Sequence, residues 1–171
     1  VVFAVVSLWK VKGNQLLYQH NEGLIFGTVY HITYQYSEDL QSEINALLKR
    51  FDKSLSPFNE ESIIAAINRN DTAVRVDEYF KTVFSRSKEI YVASEGAFDP
   101  TVSPLINVWG FGFSKADDIT PFKIDSLLQM VGMDKISLLN GKVIKKDRRM
   151  TLNFSAIAKG YSCDIVADFL D

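Results

Sequence analysis

Cysteine is nearly absent: Cys163 stands alone in 171 residues. That excludes an intrachain disulfide and any cysteine-built zinc site. Histidine is almost as scarce, with only His20 and His31. His20 has no partner at metal-ligand spacing, and His31 falls on the polar face of a strand, where a half-exposed bystander is the expected reading. Neither sign of charge dominates, since 19 Lys+Arg face 21 Asp+Glu for a net charge of −2. No broad basic surface follows, which argues against nucleic acid as a partner. Four prolines and nine glycines leave no linker, low-complexity tract or repeat. What remains is a globular composition, 47% hydrophobic and 12% aromatic, long enough for one domain with a core that needs no staples.

The opening VVFAVVSLW is almost wholly apolar and is followed by Lys10 and Lys12. Nine residues cannot span a bilayer, which takes about 20 in a helix. The run reads as the trailing end of a longer export or anchor segment, with residues 1–12 its remnant; the alternative is a core strand. No lipid-attachment cysteine lies near it, so an uncleaved helical anchor is expected over a lipidated one. At the other end, Ile157, Tyr161, Ile165 and Phe169 repeat at helical spacing up to Asp171 without a Gly or Asn cap. Both ends read as interrupted.

Between them, residues 26–36 alternate, with Phe26, Tyr30, Ile32, Tyr34 and Tyr36 on one side, as in a half-buried strand. Ser37 is placed to cap a helix carrying Glu38 and Asp39 at its start and Lys49 and Arg50 at its end. Its core stripe would be Leu40, Ile44, Leu47, Leu48 and Phe51. A second helix is expected around 61–68, and a third opens at Asp77-Glu78 with Phe80, Val83, Phe84 and Tyr91 inward. Thr120-Pro121 starts a fourth, with Ile124, Leu127, Leu128 and Val131 inward and Gly132 ending it. Asn140-Gly141 between ISLL and KVIKK signals a hairpin. MTLNF, residues 150–154, is expected to be a further strand running into the last helix. Helices mixed with hairpins, without regular βαβ alternation, indicate an α+β fold.

Three segments are too polar, too glycine-rich or too irregular for ordinary core: LSPFNEES (55–62), EGAFDPTVSPLINVWGFG (95–112) and NFSAIAKGY (153–161). Loops of this kind carry sites. The third is a strand-to-helix junction, where backbone N–H groups with Lys159 beside them suit an anionic phosphate. Singly, each has a plain alternative. Asp99 before Pro100 shapes a turn, Ser155 caps a helix, Lys159 is a solvated surface lysine, and Trp109 with its neighbouring phenylalanines is core.

Taken together, in this order and spacing, they resemble the FAD:protein FMN transferases, the ApbE family, also known as thiamine-biosynthesis lipoproteins. The matching residues are Gly27-Thr28-Val29-Tyr30, then Ser56-Pro57-Phe58 with Glu61-Ser62 and Ile67-Asn68. Gly96-Ala97-Phe98-Asp99-Pro100-Thr101 follows, with Pro104-Leu105 and Val108-Trp109-Gly110-Phe111-Gly112. The last block is Leu152-Asn153-Phe154-Ser155-Ala156-Ile157-Ala158-Lys159-Gly160-Tyr161, with Asp164. The GAFD-to-WGFG block and the AIAKGY block are specific; the GTVY block alone is weak.

The resemblance implies an ApbE-like, T-fold-related α+β domain, with a mixed or antiparallel sheet and packed helices, of which residues 13–171 are the N-terminal portion. It implies a magnesium-dependent enzyme that splits FAD, releases AMP and joins FMN through its phosphate to a threonine of a target protein. Similar proteins work on the outer, periplasmic face of the bacterial cytoplasmic membrane, on subunits of membrane redox complexes. Carried over residue by residue, the flavin-contacting positions fall on Phe26, Phe58, Ala97, Phe98, Asp99 and Asn153, and a magnesium contact through a backbone carbonyl falls on Ala156. The family often has methionine at the Phe26 position and usually aspartate at the Asn153 position; an amide still hydrogen-bonds but brings no charge. Its remaining magnesium ligands, an aspartate and a threonine, lie beyond residue 171. Asp164 is roughly 12 Å along the helix from Ala156 and Asp168 is farther, so the chain as given is expected not to turn over FAD. The rivals are a FAD pyrophosphatase giving free FMN and AMP, and a non-catalytic flavin-binding domain.

Overall fold

The computed structural model describes residues 17–111 and 119–171. The apolar run at residues 1–9, and with it the proposed anchor remnant, lies outside the described residues. No helix among the described residues is long and apolar enough to cross a membrane.

The chain opens with an antiparallel hairpin of β1 (Tyr18–Ile25) and β2 (Thr28–Gln35), in which Ile25 faces Thr28 and Tyr18 faces Gln35. Phe26 and Gly27 form the two-residue turn, at φ 54° and 70°. Both central residues at positive φ give the hairpin turn that matches strand twist, normally occupied by Asn-Gly. Phe26 is therefore a turn residue rather than a strand residue. Within β2 the expected alternation holds, with Tyr34 buried, Tyr30 and Ile32 half-buried, and Val29, His31, Thr33 and Gln35 facing out; Tyr36, expected inward, lies past the strand and is exposed. β1 runs the other way. Its inward positions are Gln19, Asn21, Gly23 and Ile25, while Tyr18 and Leu24 are exposed. Gly23 makes room for the Tyr30 ring, which a Cβ there would meet at 2.7 Å.

Helix α1 (Gln41–Leu55) starts later than expected and runs further. Ser37 does not cap it. Asp39 Oδ1 instead accepts from the Gln41 N–H (2.9 Å) and from Asn21 Nδ2 (2.8 Å). The Asn21 bond is the larger of the causes that hold Asp39 below the usual carboxylate range. The inward stripe is Ile44, Leu47, Leu48 and Phe51, extended by Leu55; Leu40 is only half-buried. Ser62 caps α2 (Ile63–Asn68) through a bond from the Ala65 N–H (3.1 Å). Asp77 caps α3 (Glu78–Ala93) through the Phe80 N–H (2.9 Å), as its sequence indicates.

The irregular 95–112 stretch contains a short helix, α4 (Ser103–Val108), with Pro104 in its first turn. Its aromatic end is not core: Trp109 and Phe111 are 44% and 85% exposed. Thr120 caps α5 (Pro121–Leu128). That helix buries less than its pattern suggests, since Leu128 is exposed and Ile124 and Leu127 are half-buried. After a single 3-10 turn at Met133–Lys135, β3 (Ile136–Leu139) and β4 (Lys142–Lys145) form the second hairpin around Asn140 (φ 50°) and Gly141 (φ 73°).

Residues 150–154 form no strand among the described residues, and Phe154 at their end has φ −95° and ψ 13°. Their backbone is held by a side chain instead: Asn68 Nδ2 donates to the Leu152 carbonyl (2.9 Å) and Asn68 Oδ1 accepts the Leu152 N–H (2.8 Å). One amide thus stands in for a neighbouring strand. The chain ends in α6 (Ser155–Leu170). Its buried line is Ala158, Ser162 and Val166, with Tyr161 and Ile165 half-buried beside it, so Phe169 turns away from the core.

The described elements are an α+β arrangement of helices with two antiparallel hairpins. The main core joins Phe51, Leu55, Ile64, Phe80, Val83, Met133, Ile136, Met150, Leu152 and Phe154; a smaller one joins Tyr34, Ile44, Leu47, Leu48 and Val166 under the first hairpin. Phe154 packs edge-on against Phe80 (5.4 Å between centroids). This buried ring fixes where α6 begins, and the candidate site is built around that point.

Candidate functional site at the start of the last helix

The start of α6 is shaped by Asn153. Its Oδ1 accepts the Ser155 N–H (2.9 Å), and its own N–H donates to the Pro100 carbonyl (2.8 Å). Ser155 is therefore the first helical residue rather than the cap, and Asn153 ties the helix to the 96–101 loop. The Ile157 and Ala158 N–H groups both donate to the Phe154 carbonyl (2.9 and 2.8 Å). Of the first-turn donors, the Ala156 N–H is the one these bonds leave for an anion, a narrower cradle than the sequence suggests.

Three of the sequence-selected residues meet near the start of α6. Phe26, Phe58 and Lys159, with Ser155, line one small cavity of about 20 Å3 floored by Phe51 and Leu55. Phe26 is held there by two constraints. Its backbone sits in the left-handed region, which costs a bulky residue of the order of 1–3 kcal/mol, and its ring packs edge-on to Phe51 at 5.5 Å between centroids. The turn thus carries an aromatic where Asn would sit with less strain, and it sets that ring on Phe51. Phe58, on the loop between α1 and α2, is 58% exposed. Phe26 and Lys159 also line a larger cleft of about 540 Å3 between the first hairpin and α6. Lys159 is exposed and begins the second turn of its helix, not the first.

Ala97, Phe98 and Asp99 lie on the loop after α3. Glu95 (φ 53°) and Gly96 (φ 85°) reverse the chain there, and the Gly96 N–H returns to the Tyr91 carbonyl (2.9 Å). Ser94 Oγ accepts the Phe98 N–H at 3.0 Å. Asp99 does shape a turn, since its Oδ1 accepts both the Thr101 N–H (2.8 Å) and the Thr101 hydroxyl (2.6 Å). Its second oxygen, Oδ2, has no hydrogen bond among the described residues. Ala97 and Phe98 do not line the cavity that Phe26 and Phe58 share. The link between the two groups runs through Asn153.

Thr101 is the residue that the sequence reading passed over. It is fully buried, and its oxygen accepts the Gly132 N–H (2.7 Å) while donating to Asp99. Gly132 holds φ 134°, and a Cβ there would meet Asp134 Oδ1 at 2.6 Å. The Asp-Pro-Thr spacing that allows this turn was visible in the sequence.

Ala156 lies exposed in the first turn of α6 and lines a groove of about 390 Å3 against α3, with Arg86 and Asp164 among its walls. No group of three or more His, Cys, Asp or Glu among the described residues is placed to hold a metal. His31 is exposed opposite Glu22 on the hairpin.

The model of the ApbE family matches residues 26–171. The FAD:protein FMN transferase of Haemophilus influenzae is 32% identical over 87% of this chain and 48% of its own length. That of Vibrio cholerae is 29% identical over 88% of this chain and 48% of its own length. This chain thus spans about half the length of the curated relatives it matches. The solved structure of the flavin transferase ApbE from Vibrio cholerae superposes with a TM-score of 0.82 at 29% identity, over 90% of this chain and 53% of that one. The apo flavinyl transferase ApbE of Pseudomonas stutzeri gives 0.80 at 26%, over 91% and 55%. The matched span includes every block on which the sequence resemblance rests, from the Phe26 turn through the 96–101 loop to α6, and the chain belongs to the ApbE family.

Proposed function

We propose that the chain forms the flavin-binding part of a FAD:protein FMN transferase. In that reaction a threonine hydroxyl of the acceptor protein attacks the FMN phosphorus of FAD. A phosphorus–oxygen bond forms to the threonine, the bond to the AMP side breaks, the hydroxyl proton passes to a base, and AMP leaves. The observation that carries the reading is that Phe26 and Lys159 line the hairpin–α6 cleft of about 540 Å3, beside the small notch they share with Phe58 and Ser155 and tied through Asn153 to the Asp99 loop. Aromatic rings suit the flat isoalloxazine face. Lys159 beside the Ala156 N–H suits the pyrophosphate, and Asp99 Oδ2 suits ribose hydroxyls or flavin N–H groups.

A metal that offsets the pyrophosphate charge belongs to this chemistry. Ala156 offers it one carbonyl oxygen. Magnesium takes near-octahedral oxygen coordination, usually with at least one carboxylate, so the donor set on these residues does not fit magnesium by itself. What the described residues do is bind and orient: they hold the flavin, fix its phosphates at the helix start and set the ribose. The acceptor in this reading is a flavoprotein subunit of a membrane redox complex, met on the outer face of the bacterial cytoplasmic membrane. The apolar opening run supports membrane attachment.

The test uses the whole protein with FAD, magnesium and a candidate acceptor. Fluorescent flavin on the acceptor band, with one AMP released per flavin joined, is the expected result. AMP and free FMN without labelled acceptor would make the enzyme a pyrophosphatase, and bound FAD with no AMP would make it a binding domain. Membrane fractions of the native cell should contain the protein; recovery in the soluble fraction alone would remove the attachment from the proposal.

A further inference from the structure

The most one-sided charge on the molecule lies away from the flavin residues. Residues 142–149, KVIKKDRR, carry five cations against one carboxylate on a chain of net charge −2. That carboxylate, Asp147, is taken up by Arg149, whose Nε and terminal nitrogen donate to it at 2.6–3.1 Å. Lys142, Lys145 and Arg148 form no ion pair within 4 Å among the described residues, although the Asp147 charge also reaches Lys145.

These three cations line one cavity of about 490 Å3, between β4 and the loop after α2 that carries Asn70 and Thr72. The volume is within the roughly 300–1,000 Å3 of small-ligand pockets. Lys145 is anchored in its wall, donating to the Ile67 carbonyl (3.0 Å) and the Met150 carbonyl (2.9 Å). Lys142 donates to the Thr72 carbonyl at 2.8 Å. An ammonium has three donors, so among the described residues Lys145 keeps one and Lys142 two, and the Arg148 fork is unused. Burial, with the Arg148 charge adding to it, holds Lys145 below the usual lysine range. Cations are thus gathered at a concave site with donors to spare, and a bound anion would relieve their repulsion. Asp71 is the single carboxylate on the wall, and its Oδ1 already accepts the Ala73 N–H (2.8 Å).

We propose that the cleft between β4 and the loop after α2 binds a phosphate group through Lys142, Lys145 and Arg148. Two ammoniums and a planar fork match a doubly charged phosphate better than a singly charged carboxylate. The site is separate from the flavin residues: none of its lining residues lines the Phe26–Phe58 cavity or the hairpin–α6 cleft. The phosphate comes either free in solution or on a lipid headgroup.

The whole protein is titrated calorimetrically with inorganic phosphate at constant ionic strength. In parallel it is sedimented with phosphatidylcholine vesicles with and without phosphatidylglycerol. Three variants accompany it: K142Q/R148Q, R148Q alone, and K49Q/R50Q, which removes the same charge from the exposed side of α1. Saturable phosphate binding, weakened about tenfold or more in K142Q/R148Q and unchanged in K49Q/R50Q, assigns the site to free phosphate. Binding only to the anionic vesicles, with the same dependence on variants, assigns it to a headgroup. R148Q breaks no hydrogen bond among the described residues, so a weakening there is not a folding effect. No binding in either arm, or binding that K142Q/R148Q retains, overturns the proposal.

Discussion

Replacing Thr101 by Val tests how the Asp99 loop is held. The two side chains are nearly the same shape, so the substitution removes a hydroxyl without opening a cavity. Two bonds go with it. Asp99 loses a charge-assisted donor at 2.6 Å, and the Gly132 N–H loses its acceptor at 2.7 Å at a buried position. A buried donor left unpaired costs about 1–3 kcal/mol, and a bond to a charged group about 1.5–3. Asp99 is half-buried and keeps the Thr101 N–H, so water recovers much of its share. The expected loss is about 2–4 kcal/mol. At roughly 2–4 °C per kcal/mol for a chain of this size, Tm falls by about 5–15 °C. Thr101→Ser keeps the hydroxyl and loses one methyl, at about 1 kcal/mol. Urea and thermal unfolding of the three proteins are the assay. A T101V protein within about 0.5 kcal/mol of wild type, or a T101S protein less stable than T101V, would refute the argument.

Three further outcomes follow from the same geometry. Asp99→Ala weakens FAD binding by about 1–3 kcal/mol, read by flavin fluorescence on folded protein; Asp99→Asn, which keeps the turn acceptor, separates lost charge from lost turn, and unchanged affinity in both variants retires Asp99 from the site. Lys159→Ala slows FAD cleavage by the whole enzyme, and a wild-type rate would make it an ordinary solvated lysine. Arg149 lowers the Asp147 carboxyl from 3.8 to about 2. Its folded value is depressed, so any stability it lends is present above the ordinary value and lost as pH falls through about 2. Carboxyl NMR should find that titration in the native protein and its return toward 3.8 in Arg149→Gln; a midpoint near 3.8 in both would deny the pair.

The parts of the fold legible in the sequence are those whose signals are local. Asp77 and Thr120 cap their helices, and Asn140-Gly141 turns its hairpin, because the deciding residues lie within a few positions of the structure they set. β1 was not legible because its inward face is Gln19, Asn21 and Gly23, residues that suit it only once Asp39 and Tyr30 are in place. The 150–154 segment reads as a strand but forms none among the described residues, because its partner is the amide of Asn68, 84 residues away. The displaced start of α1 has the same origin, since Asp39 is fixed by Asn21 across the hairpin. At the candidate site, the residues were picked out as a family pattern, but their grouping was not legible. Nothing local to Phe26 tells that the turn points its ring at Phe51, and nothing in GAFDPT tells that Asn153 joins it to α6.

A crystal structure of the whole protein with FAD tests the central claim, that these segments form one flavin site at the start of α6. The account places the isoalloxazine ring against Phe26 and Phe58, the phosphates at the Ala156 N–H beside Lys159, and a ribose or flavin donor on Asp99 Oδ2. FAD bound elsewhere, or bound with Phe26, Phe58 and Lys159 all out of contact, would contradict it.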